Sequence, residues 1–144
     1  VRALGIDLGD RRIGIAVSSG SVASPVETVQ RSGDRDRDHR RILEIAAEWE
    51  ADTLVVGLPL SLDGSEGPAA VAVLEEVAEL RVRTSIAVET YDERLTTVTA
   101  DRQLQELGVH GRDRRRMIDQ LAASVFLQAW LDGRSDTQPD RELL

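Results

Sequence analysis

The stretch Ala3-Leu4-Gly5-Ile6-Asp7-Leu8-Gly9-Asp10-Arg11-Arg12-Ile13-Gly14-Ile15-Ala16-Val17 sets the reading of the whole chain. Residues 3–8 are apolar apart from Gly5 and Asp7, the pattern of a buried strand. Gly9-Asp10 is a turn signal, and Ile13–Val17 reads as the returning strand, so residues 2–18 are expected to form a hairpin. An ionised carboxylate in so apolar a strand is costly unless a basic side chain, backbone donors or a metal compensates it. Asp7 is therefore either a functional group or a structural acid, paired with Arg11 or Arg12 or shaping the turn before Gly9.

Working outward, Val22 to Val29 supplies a third strand, placed at an edge by Pro25. The charged run Arg31 to Arg41 leads into a helix with an apolar stripe of Ile42, Ile45, Ala46 and Trp49. Thr53 to Val56 reads as a short buried strand ending in the turn-rich loop Gly57-Leu58-Pro59-Leu60-Ser61-Leu62-Asp63-Gly64. Residues 67–80 form a second helix, with Ala70, Val73, Leu74 and Val77 on one side. Ser85 to Glu89 is a further strand continuing toward Asp92-Glu93. Thr96 or Thr97 caps a third helix that Gly108 ends, and residues 113–131 make a fourth. The expected fold is α/β, a mixed five-stranded sheet flanked by about four helices. Its first three strands form an antiparallel meander and its last two run parallel to the first. A single domain over residues 1–132 precedes a polar tail, 133–144, expected to be disordered.

The 144 residues suit one domain, and hydrophobic residues make up 41% of them, enough for a core that Val, Leu, Ile and Ala must fill because aromatics are only 3%. The absence of cysteine excludes disulfides and thiolate metal sites. No apolar run approaches a membrane span, and the start of the chain lacks the pattern of a signal peptide. A cytoplasmic protein with no membrane partner is expected. The net charge of −8 argues against blanket binding of nucleic acid and demands a local basic surface if a polyanion is bound. All 18 basic residues other than histidine are arginine, a side chain suited to bidentate phosphate contacts, although a composition biased toward Arg, Ala, Val and Asp is the better account of this.

Two further acids stand where chemistry is expected. Glu93 lies just beyond a strand, where a solvated turn acid paired with Arg94 is the plainer alternative. Asp119 interrupts Met117-Ile118-Asp119-Gln120-Leu121-Ala122-Ala123, where an acid favouring a helix N-terminus is the alternative. As a set, Asp7, Glu93 and Asp119 fall at points that the topology can bring to one sheet end, where sites of open α/β sheets collect. Carboxylates gathered together call for a cation. Oxygen donors, with no Cys and only His39 and His110 in the chain, suit Mg²⁺ or Mn²⁺ rather than zinc. Two such ions about 4 Å apart would activate water and stabilise the departing oxygen of a phosphodiester.

Four segments resemble the YqgF family, also called RuvX, whose members are described as Holliday-junction resolvases and as nucleases maturing the precursor of 16S ribosomal RNA. They are Gly5–Ala16, Gly57–Pro68, Asp92-Glu93-Arg94-Leu95-Thr96-Thr97 and Asp119–Gln128. The resemblance implies a ribonuclease-H-like fold, metal-binding catalytic acids at Asp7, Glu93 and Asp119, and Glu93 rather than Asp92 as the acid that matters. The family often has Lys where Arg11 stands and Asn where Ser61 stands. Asp63 and Asp10 are the available auxiliary acids.

Arg112, Arg114, Arg115 and Arg116 precede Asp119 and are expected to bind phosphate, with Arg12 and Arg94 as further substrate contacts. The diluted run Arg31, Arg35, Arg37, Arg40, Arg41 reads better as a salt-bridged surface. With no aromatic platform for stacking bases, backbone and shape recognition is expected. The function that follows is metal-dependent endonuclease action on structured nucleic acid, most of all the 5′ end of pre-16S rRNA. Holliday-junction resolution on branched DNA, by a symmetric homodimer, is one alternative. A non-catalytic ribosome-assembly or nucleic-acid-binding factor is another. The first hairpin also resembles the phosphate hairpin of sugar kinases, a reading for which the chain has no room for the second lobe.

Overall fold

The opening hairpin forms as its sequence requires. β1 (Ala3–Leu8) pairs antiparallel with β2 (Arg12–Ser19), from Leu4 opposite Val17 to Leu8 opposite Ile13. Gly9 makes the turn: its N–H donates to the carbonyls of Asp7 at 3.1 Å and Arg12 at 3.0 Å. A Cβ there would lie 2.6 Å from the Arg12 carbonyl oxygen, so only glycine fits. β3 (Val22–Gln30) continues the meander along β2 and lies at the sheet edge. Pro25 is accommodated by a register shift beside it, where Ile15 faces Glu27 but Ala16 faces Pro25.

The computed structural model describes residues 2–94 and 111–137, the side chains of 111–120 and 135–137 excepted. The meander leads to α1 (Arg35–Glu48), β4 (Thr53–Leu58), α2 (Pro68–Arg83), β5 (Ala87–Asp92) and α3 (Gly111–Thr137). The helix expected between Thr96 and Gly108 lies outside the described residues. The sheet order is β3-β2-β1-β4-β5, with β4 parallel to β1 and β5 parallel to β4. This is the mixed five-stranded sheet expected. β4 runs two residues past Val56, and α3 continues beyond residue 132 to Thr137.

Strand alternation sorts the core into two layers. Leu4, Ile6, Leu8, Leu54 and Val56 face α1 and α2, where they pack with Ile42, Ile45, Ala46, Val73 and Val77. Ala3, Ala16 and Val55 face α3 and pack with Ala123, Phe126, Leu127, Trp130 and Leu131. Burial on both faces explains why β1 and β4 are almost continuously apolar. Trp49, expected in the α1 stripe, is instead the C-cap residue and 41% exposed, because the helix ends before the stripe reaches it. Gln128 ties α3 to the sheet edge: its Oε1 accepts from the Ala23 N–H at 2.8 Å and its Nε2 donates to the Ser21 carbonyl at 2.8 Å.

α1 is capped by Asp34, whose carboxylate accepts from the N–H groups of Asp36 and Arg37. The charged run around it is mostly salt-bridged, as expected: Arg35 meets Glu79, and Arg41 meets Glu27, Glu44 and Glu48. Arg31 departs from that surface. Its Nη1 and Nη2 donate to the two oxygens of buried Glu76 at 2.9 and 2.8 Å, and its Nε donates to the Gly9 carbonyl at 2.8 Å. His39, fully buried, places Nε2 2.7 Å from Glu76 Oε1. Burial opposes ionisation of Glu76, but the hydrogen bonds from His39 and Arg31 and the Arg31 charge outweigh it and hold the group at about 2.

Two predictions follow from this packing. Gly5 faces α3 so closely that a Cβ would lie 3.0 Å from both the Ala123 carbonyl oxygen and Leu127 Cβ. Gly5→Val should therefore lower unfolding free energy by about 1–3 kcal/mol, read from urea denaturation. Glu76 has a depressed pKa, so its contribution is complete above its unfolded value near 4.5 and is lost as pH falls from there toward 2. The wild type should lose on the order of 3 kcal/mol through this group across that interval. Glu76→Gln should be less stable at pH 7 and show a flatter acid limb in the same urea titration.

Candidate active site

The carboxyl ends of β1, β4 and β5 lie side by side, and two of the three expected acids are described there. Asp7 is half-buried near the end of β1, opposite Gly14. By alternation it shares the α3 side of the sheet with Ala3 and Gly5. On β5, Tyr91 packs against the α3-side cluster. Glu93 follows two residues later and continues the ladder, its N–H donating to the Leu58 carbonyl at 3.2 Å. Glu93 thus falls on the same face and at the same end as Asp7.

Gly57 makes their approach possible. It is paired with Tyr91 in β4, the strand between β1 and β5. A Cβ at Gly57 would come 2.2 Å from Glu93 Oε2 and 2.8 Å from Phe126 Cε2. The Glu93 carboxyl therefore lies across β4 in the space that a side chain there would fill, roofed by Phe126 of α3. Burial in this slot, followed by the charge of Asp92, pushes the Glu93 carboxyl up to about 7.

Asp92 is occupied otherwise. Its Oδ2 accepts from Arg94 Nε at 2.7 Å and pairs with Nη2 at 2.6 Å. The Arg94 hydrogen bond, against a smaller cost of burial, lowers the Asp92 pKa. Arg94 also reaches the Leu62 carbonyl at 3.4 Å. Arg94, expected at the substrate, thus lies beside the loop of residues 59–67. That loop is internally bonded: Ser61 N–H donates to the Ser65 carbonyl at 2.9 Å, and Gly64 N–H to the Ser61 carbonyl at 2.7 Å. Asp63 Oδ1 accepts from Ser65 N–H at 2.9 Å and Ser65 Oγ at 2.6 Å, so this candidate auxiliary acid shapes the loop. Asp10 is exposed in the first turn, and Arg12 stands half-buried at the start of β2.

Asp119 lies on the backbone of α3, one turn before Ala123, which abuts Gly5. Its side chain, and those of Arg112, Arg114, Arg115 and Arg116, lie outside the described residues. Among the described residues no group of three metal-ligating side chains comes together. Asp7 and Glu93 offer carboxylate oxygens on one face, hard donors of the kind that Mg²⁺ and Mn²⁺ take. Sequence reasoning missed Gly57 and Arg31. A glycine inside an apolar strand is a signal of close approach, whereas nothing near Arg31 in sequence points to Glu76. No described helix is long and apolar enough to cross a membrane.

Comparison with known proteins finds relatives along most of the chain. The RuvX family model, described as Holliday junction resolvase, matches residues 1–133. A protein of Mycobacterium sp. (strain KMS), named "Putative pre-16S rRNA nuclease", is 46% identical over 136 residues, covering 92% of this chain and 80% of that one. One of Rhodococcus opacus (strain B4), under the same name, is 50% identical over 140 residues, covering 93% and 79%. Among solved structures, RuvC of T. thermophilus in complex with a Holliday junction substrate superposes with a TM-score of 0.59 at 20% identity, over 93% of this chain and 95% of that one. That likeness speaks for the fold, which is the expected ribonuclease-H-like one. The extent of the family match and the identity to these relatives agree: the chain belongs to the RuvX family.

Proposed function

We propose that this chain is a metal-dependent endonuclease that hydrolyses phosphodiester bonds of structured nucleic acid, with the 5′ end of pre-16S rRNA as its substrate. The observation that carries this reading is the Glu93 carboxyl lying over Gly57, on the face and at the sheet end of Asp7. A buried carboxylate beside Asp92, with a second acid on the same face, calls for a cation. Asp7, Glu93 and Asp119 would hold Mg²⁺ or Mn²⁺, as two ions. Bound there, the metal supplies an activated water and charge stabilisation for the departing oxygen.

The chain's own groups do the rest. Phe126 excludes water from one side of the Glu93 carboxyl and fixes its direction. Gly57 leaves the path between the two acids open. Arg112, Arg114, Arg115 and Arg116 bind substrate phosphates on the approach to Asp119, and Arg12 contacts the backbone near Asp7. Arg94 contributes by holding the 59–67 loop beside the scissile position. The names of the relatives favour ribosomal RNA. The family model's description favours a second substrate, a four-way DNA junction, which requires a symmetric dimer to cut two strands. The site of action on either reading is the cytoplasm.

The test offers purified protein both precursor ribosomal RNA and a four-way DNA junction, with Mg²⁺ or Mn²⁺. Cleavage of the RNA at its 5′ side is expected, and cleavage of the junction alone would move the assignment to resolution. Asp7→Asn and Glu93→Gln should each keep the wild-type circular dichroism and lose more than about 100-fold in rate, beyond the usual effect of groups that only support a metal ligand. Binding of RNA with no cleavage by the wild type would replace the enzyme with an assembly factor. Gly57→Ala should fold and lose about 10–100-fold in rate, because its methyl group displaces the Glu93 carboxyl.

A further inference from the structure

Arg31 joins the end of the meander, α2 and the turn that follows Asp7. Its side chain is only 17% exposed, and its guanidinium meets the carboxylate of Glu76, whose side chain is 8% exposed, at 2.8 Å. Its Nε donates to the Gly9 carbonyl at 2.8 Å, and its own backbone N–H donates to the Arg11 carbonyl at 2.9 Å. Both sides of the β1–β2 turn are thus held by one residue. The Gly9 N–H, in turn, donates to the Asp7 carbonyl at 3.1 Å.

The support is buried and directional. Glu76 belongs to α2, and His39 of α1 occupies one of its oxygens at 2.7 Å. His39 Nδ1 has no hydrogen-bond partner among the described residues, so the ring's polar commitment is to Glu76 alone. After Arg31 the chain is pinned again, with Asp38 accepting from Ser32 N–H at 3.0 Å and Ser32 Oγ at 2.7 Å. A surface ion pair needs none of this. A desolvated fork with its Nε and both terminal nitrogens engaged is a means of fixing one geometry.

We propose that Arg31, clamped by Glu76 and His39, is the positioning residue for Asp7, acting through the Gly9 carbonyl to hold the β1 end in register with Glu93. The inference rests on the reading of Asp7 and Glu93 as metal ligands. Arg31 itself touches neither metal nor substrate. Lysine at this position keeps the charge opposite Glu76 but cannot at once fork to both carboxylate oxygens and donate to Gly9.

The experiment titrates Mn²⁺ alone into the full chain by calorimetry, with thermal melting in parallel and cleavage measured at low and high Mn²⁺. Arg31→Lys should remain folded, bind Mn²⁺ about 10–100-fold more weakly, and recover rate as Mn²⁺ is raised. The double variant Arg31→Met with Glu76→Gln leaves no buried charge unpaired, and should show the same weakening. Wild-type Mn²⁺ affinity in either folded variant overturns the positioning role, whatever its melting temperature. Failure of both to fold assigns the network to stability and also overturns it. Asp7→Asn is the separate control: if it binds Mn²⁺ as the wild type does, the metal-site reading itself falls.

Discussion

The structure depends on how closely α3 can lie on the sheet. At Gly5 and at Gly57 a strand presents no side chain to the helix, and Leu127 and Phe126 come down into the space. Without those two gaps the α3-side layer would stand off, Phe126 would not roof the Glu93 carboxyl, and Asp7 would face a wider opening. Core packing and site geometry are therefore one constraint. The same helix that buries Ala123, Leu127 and Trp130 carries Asp119 on its preceding turn.

The second face does different work. α1 and α2 cover the other side of β1 and β4 with an aliphatic layer. Their charged side chains pair with one another: Arg35 with Glu79, Arg41 with Glu44 and Glu48, Arg83 with Asp36. Through Arg31 this layer also reaches the first turn. The two faces thus meet at Gly9, one through the β1 backbone and one through a guanidinium.

Much of this was legible in the residues, for identifiable reasons. Gly9-Asp10 between two apolar runs fixes a hairpin, and Pro25 cannot serve in a central strand, so the meander and its edge follow from local chemistry. The end of β4 was less visible. Gly57 looks like the start of a turn because glycine often is one, yet here it stays in the ladder opposite Tyr91. Asp92 and Glu93 are adjacent acids whose sidedness depends on how far β5 extends, which the Glu93 N–H bond to Leu58 decides. Local patterning did not decide this; the family resemblance did. Arg31 was least legible. It opens a run of alternating arginine and aspartate that resembles a solvated face, and the carboxylate that buries it is 45 residues away.

The edge at β3 has a bearing on self-association. An uncovered strand offers a template on which other chains can grow. Here the amide of Ala23 and the carbonyl of Ser21 are both engaged by the Gln128 side chain, which stands in for a neighbouring strand. Two residues further on, Pro25 has no amide to lend, and the shift in register beside it spoils the straight ladder that amyloid-like stacking needs. A fold that leaves this flank of its sheet open has blunted it with a glutamine, a proline and a kink, so recruitment of a second copy by sheet extension is disfavoured along this flank.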